Sequence, residues 1–142
     1  MAALLAEGDR HSRFRSLVPL QPLGQGPVLF YVHGLGGVVT PHLAVARLLA
    51  PSIRVYGLQE VEVEGCYESQ AGMENMVSHY AREIRALQPE GPYYLGGFCL
   101  GGCLAYETAR RLQDEGAEIG AVFLEDSAPV CQLPGSVYAR YL

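Results

Sequence analysis

The stretch GGFCLGG, residues 96–102, sets Cys99 between Gly97 and Gly101, two positions away on either side. Such spacing suits a nucleophile presented on a tight turn from strand to helix, because the turn strains the backbone and brings strand and helix too close for side chains. The start of the helix adds unpaired N–H groups and a positive dipole end, which stabilise an oxyanion formed nearby. Two other features complete an acyl-transfer constellation. HGLGG, residues 33–37, is a flexible loop whose backbone N–H groups can pair with that of Leu100 to form an oxyanion hole. Asp126 follows Cys99 in the chain order nucleophile, acid, where the acid orients a base.

These residues need a scaffold, and the hydropathy pattern supplies one. VLFYVHG (28–34), SIRVYGLQ (52–59), PYYLGGF (92–98) and IGAVFLED (119–126) are apolar, β-rich runs of the kind buried on both faces of a parallel sheet. PHLAVARLLA (41–50) reads as a short helix opening with proline. From Met73 to Pro89 the apolar residues fall at 73, 76, 77, 80, 84 and 87, the rhythm of an amphipathic helix. Residues 100–115 repeat that rhythm, and Gly116 closes the helix. Residues 60–71 are acidic and aperiodic, hence a surface loop. Four strands alternating with three helices and no hairpin signal predict a parallel, helix-covered α/β sheet with Cys99 at the carboxyl end of the third strand.

Composition narrows the class. The chain has 142 residues, 18% of them charged, and a formal charge of −5, with no basic cluster, so nucleic acid is not an expected partner. AALLA (2–6) is too short for a signal core and no segment suits a membrane span, so the expectation is a cytoplasmic location. Cys66, Cys99, Cys103 and Cys131 form no C-x-x-C pair and group with no histidine at metal spacing. Neither zinc nor a disulfide framework is expected; Cys66, Cys103 and Cys131 read as small buried thiols. Residues 1–26 read as a linker, rich in proline and glycine at its end, with the domain proper over 27–142.

SLVPLQPLGQGPVLFYVHGLGG, RVYGLQ, IRALQPEGPYYLGGFCLGG, LAYETARRLQDEG and VFLEDSAP occur in that order over residues 16–130. Together they resemble the type I thioesterase domains that end modular nonribosomal peptide and polyketide synthases. The resemblance implies a truncated α/β-hydrolase-like sheet, the N-terminal portion of such a domain, preceded by the tail of a carrier-to-thioesterase linker. It implies Cys99 as the nucleophile of a cysteine variant, Asp126 as the acid, and the N–H groups of Leu35 and Leu100 as the oxyanion hole. No cofactor of its own is implied; an acyl or peptidyl carrier protein would present the substrate on phosphopantetheine, for hydrolytic or cyclising release.

The family's base is a histidine well beyond the acid, and none of the 16 residues after Asp126 is histidine. His11, His42 and His79 read as solvated, and His33 as a brace of the oxyanion loop. Two alternatives therefore stand beside the thioesterase: an inactive fragment or interaction remnant of a modular synthase, and a dienelactone-hydrolase-like cysteine enzyme, whose elbow GFCLGG resembles.

Overall fold

A computed structural model describes residues 15–60 and 70–127. Five strands, β1 (Leu17–Gln21), β2 (Val28–Val32), β3 (Arg54–Leu58), β4 (Tyr93–Phe98) and β5 (Ile119–Glu125), form one sheet in the order β1-β3-β2-β4-β5. Three helices connect them: α1 (Leu43–Leu49), entered through a 3-10 turn at Thr40–His42, α2 (Gln70–Leu87) and α3 (Leu100–Asp114). β2, β3, β4 and β5 pair in parallel. β1 runs antiparallel to β3.

β1 corrects the expected boundary at residue 26, because residues 17–21 belong to the sheet and not to a linker. Its composition hid it: Pro19 is tolerated on an edge strand, and the apolar pattern is short. Long-range contacts hold it instead. The carboxylate of Glu83, buried on α2, accepts the backbone N–H groups of Arg15, Ser16 and Leu17 at 2.6, 2.9 and 3.0 Å. His79, one turn earlier on α2, bonds the Ser16 hydroxyl at 2.9 Å and lies 3.3 Å from Glu83. His79 is thus half-buried and engaged rather than solvated.

The core has two parts, one on each face of the sheet. Phe30, Val32, Tyr56, Leu58, Tyr93 and Leu95 point toward α2 and α3, where Tyr80, Ile84, Leu104 and Leu112 meet them. On the opposite face Tyr31 and Val55 pack with Ala46 of α1. This alternation along β2 and β3 follows from the two-residue period of a strand sandwiched between helices. α3 ends with Gly116 at φ 85° and the Ala117 N–H bonded to the Leu112 carbonyl at 2.9 Å, a left-handed C-terminal cap.

β5 pairs with β4 alone and is the edge of the described sheet. Phe123 and Leu124 remain exposed on it. The loop expected at 60–71 falls mostly outside the described residues, as do Cys66, Cys131 and His11, and α2 already begins at Gln70. Among the described residues no helix is long and apolar enough to cross a membrane.

Candidate active site

Cys99 occupies the one-residue turn between β4 and α3 with φ 55° and ψ −121°, outside the regions open to ordinary side chains. Glycine on both sides makes that turn sterically feasible. A Cβ on Gly97 would stand 2.7 Å from the Gly102 nitrogen, inside the first turn of α3. One on Gly101 would stand 2.5 Å from the Val32 carbonyl oxygen, at the end of β2. The two glycines therefore let α3 press against β4 and against the strand that leads into the glycine loop at 33–37. Cys99 itself is partly exposed, with Leu100 next to it opening α3, where the first N–H groups have no partner within the helix.

The loop at 33–37 sits beside this turn: a Cβ on Gly34 would lie 3.7 Å from the Phe98 carbonyl oxygen, the residue preceding Cys99. The N–H groups of Gly36 and Gly37 fold back onto the Gly34 carbonyl at 2.9 and 3.2 Å, and the Leu35 side chain points into solvent. Gly37 takes φ 73°, the left-handed conformation that only glycine adopts cheaply. Its carbonyl accepts the Glu60 N–H at 2.8 Å, tying the loop to the chain beyond β3. Burial holds the Glu60 carboxyl above the usual carboxylate range.

His33 is fully buried under that loop. Its Nδ1 lies 2.6 Å from the Gly34 carbonyl, which can only accept, so Nδ1 carries the proton. Nε2 then accepts from the Tyr80 hydroxyl at 2.9 Å. With both nitrogens committed, His33 braces the loop and is no base for residue 99. Burial lowers its pKa, against the raising effect of the Gly34 carbonyl. His42 is not solvated as expected: its ring lies on Tyr31, centroids 4.5 Å apart, and burial lowers its pKa while Glu125 opposes.

Asp126 follows β5 in a left-handed conformation, φ 48°. The parallel register pairs Phe98 with Glu125, so Cys99 and Asp126 leave neighbouring strands side by side. The Cys99 N–H donates to the Glu125 carbonyl at 2.9 Å. Sequence reasoning overlooked the residues flanking Asp126. The Glu125 carboxylate takes a short hydrogen bond from the Tyr31 hydroxyl, whose pKa burial and Glu125 both raise. The Ser127 hydroxyl bonds the backbone of Cys99 and Glu125. Cys103 is buried, as expected. Among the described residues no group of three or more His, Cys, Asp or Glu side chains could hold a metal.

The thioesterase-domain family model matches residues 27–138. The chain belongs to the thioesterase-domain family. It is 32% identical over 134 residues to the dimodular nonribosomal peptide synthase of Bacillus subtilis (strain 168), covering 94% of this chain and 6% of that protein. With polyketide synthase PksR of the same organism it shares 36% identity over 125 residues, 85% of this chain and 5% of the synthase. The structure resembles the NocB thioesterase domain, solved as a covalent complex with a fluorophosphonate nocardicin G analogue, with a TM-score of 0.73 at 30% identity over 84% of this chain and 52% of that one. This thioesterase-family chain thus spans about half the length of that solved domain.

The expectation of a cysteine-nucleophile branch is corrected by these relatives. The solved thioesterase domains that the chain resembles are serine–histidine–aspartate enzymes, so release in this family runs through a serine hydroxyl. G-x-C-x-G in the elbow is a geometric signal, and it locates the turn properly; it does not identify a family branch. The family match also decides against a dienelactone-hydrolase-like enzyme.

Proposed function

We propose that this chain is the elbow-bearing half of a thioesterase domain that releases an acyl or peptidyl chain from the phosphopantetheine arm of a carrier protein. The observation that carries the reading is the contact between the strained turn at residue 99 and the glycine loop at 33–37, at the carboxyl ends of β4 and β2. Ligands of open α/β sheets bind outside those strand ends.

In the family's reaction a serine hydroxyl oxygen adds to the thioester carbonyl carbon, the carbon–sulfur bond breaks, and the pantetheine thiol leaves with the hydroxyl's proton. Water or an internal nucleophile of the acyl chain then adds to the ester carbonyl carbon, the bond to the serine oxygen breaks, and that oxygen regains the nucleophile's proton. Residue 99 marks the place in the fold from which that attack comes, and we assign no acyl-accepting role to the Cys99 thiol. The N–H groups of Leu35 and Leu100 would hold the carbonyl oxygen as it becomes an oxyanion, and Asp126 would orient the base. A carrier protein is the partner, neither nucleic acid nor a membrane is, and the cytoplasm is the location that fits a free thiol at Cys99.

The test is a titration of the isotope-labelled chain with a carrier protein bearing a non-hydrolysable acyl-pantetheine amide. The amides of residues 34–36 and 99–101 should shift in its nuclear magnetic resonance spectrum. Leu35→Pro, which removes one oxyanion donor, should weaken binding about fivefold, the worth of one hydrogen bond. A folded chain whose amides at these positions do not respond would overturn the proposal.

A further inference from the structure

The elbow spacing accounts for Gly97 and Gly101 but leaves Gly102, the last residue of GGFCLGG, without a role. The structure gives it one. A Cβ on Gly102 would stand 2.5 Å from the Cβ of Ser127, so the missing side chain is the space that Ser127 fills. From there the Ser127 hydroxyl lies 2.7 Å from the Cys99 carbonyl oxygen and 2.8 Å from the Glu125 carbonyl oxygen. Both are acceptors, so its single proton is shared between them.

Residue 99 needs such help. At φ 55° and ψ −121° its backbone fits neither the ladder of β4 nor the helix that follows. Its N–H is satisfied by the Glu125 carbonyl at 2.9 Å, and its carbonyl accepts the Gly102 N–H at 3.1 Å as well as the Ser127 hydroxyl. Backbone strain of this kind persists only where surrounding contacts over-determine it. Ser127 and Glu125 supply those contacts from the two residues flanking Asp126. The left-handed Asp126 is thereby fixed between two points that both grip the backbone of residue 99. Tyr31 pins the Glu125 side chain as well, by its hydroxyl bond to the carboxylate.

We propose that Ser127 is a positioning residue, whose hydroxyl, seated in the gap left by Gly102, locks the elbow turn at residue 99 and fixes Asp126 beside it. The role of Asp126 as the acid rests on the function proposed above; the lock itself does not.

The Cys99 thiol serves as reporter. The rate of its alkylation by iodoacetamide, read by peptide mass spectrometry on the full chain, depends on how the turn presents it. Ser127→Ala should change that rate about fivefold, and hydrogen exchange at the amides of residues 99–101 should accelerate by a similar factor. Ser127→Thr, which keeps the hydroxyl, should restore both. Gly102→Ala, whose Cβ would take the Ser127 seat and also stand 2.9 Å from the Gly97 carbonyl oxygen, should shift both readings at least as far as Ser127→Ala. Should Ser127→Ala fail to fold, Gly102→Ala and Ser127→Thr decide the matter by the same two readings. Unchanged alkylation and exchange in a folded Ser127→Ala chain, or no rescue by threonine, would overturn the proposal. A normal lock in a chain that ignores the acyl-pantetheine amide would instead count against the function and leave the lock standing.

Discussion

The elbow and the start of β1 are both places where the backbone departs from what its local sequence favours, and they are held by opposite means. At the elbow, side chains have been removed so that backbone meets backbone: Gly97 against the first turn of α3, Gly101 against the end of β2. At β1 a side chain has been brought in, the buried Glu83 carboxylate that gathers three N–H groups from residues 15–17. At Gly97 the close approach is local, whereas Gly101 meets Val32 and Glu83 meets Leu17, each across more than sixty positions of chain. Close approach is unforgiving because neither backbone can move; an ionic anchor fails only by the bonds it loses.

The comparison breaks most sharply at Gly101. Alanine there places a Cβ 2.5 Å from the Val32 carbonyl oxygen and closer still to that of His33. Neither atom is the end of a flexible side chain, so α3 must shift away from β2. We expect Gly101→Ala to destabilise the fold by about 3 kcal/mol, the upper range for overpacking, as a lowered urea midpoint. A loss under about 1 kcal/mol would mean that the helix and strand are not held at this distance.

Glu83→Ala tests the other side with a smaller expected effect. It leaves the N–H groups of Ser16 and Leu17, both buried residues, without their acceptor, at about 2 kcal/mol in total. The loss should be local in its first sign: amide exchange at residues 16–18 should quicken before the rest of the sheet responds. Uniform acceleration across β2 and β4 would show that β1 is no separable edge but part of one cooperative unit.

These two devices also explain what the sequence disclosed. Glycines at fixed spacing around Cys99 carry their reason in the chain itself, so the turn, the loop at 33–37 and the adjacent Asp126 are legible in the sequence alone. β2, β3, β4 and β5 are legible because each is a continuous apolar run. β1 is not, since LVPLQ owes its place to Glu83 on α2 and to pairing with β3. The same holds for Ser127 and for the half-buried His79, whose partners lie 28 and 63 residues away. The nucleophile's chemistry escapes the sequence for a different reason: spacing reports the geometry of a turn and is blind to which hydroxyl or thiol the relatives use.

The smallest effect separates the two regions by proton uptake. His33 under the loop has its pKa lowered by burial, and so does His79 beside Glu83, although there the carboxylate opposes. A histidine whose folded pKa lies below its unfolded value of about 6.5 binds its proton more readily when unfolded. Stability from that site is therefore complete at pH 7.5 and declines as the pH falls below about 6.5, with a slope of at most about 1.4 kcal/mol per pH unit for each proton. Glu60, with its carboxyl raised by burial, works in the other direction. Urea midpoints measured at pH 7.5 and 5.5 should fall on acidification, and His33→Gln should flatten much of that dependence, since glutamine cannot take up the proton. If His33→Gln leaves the slope unchanged and His79→Gln removes it, the acid-sensitive point of the fold lies at the β1 anchor, and the loop beside the elbow is held by its glycines and backbone bonds alone.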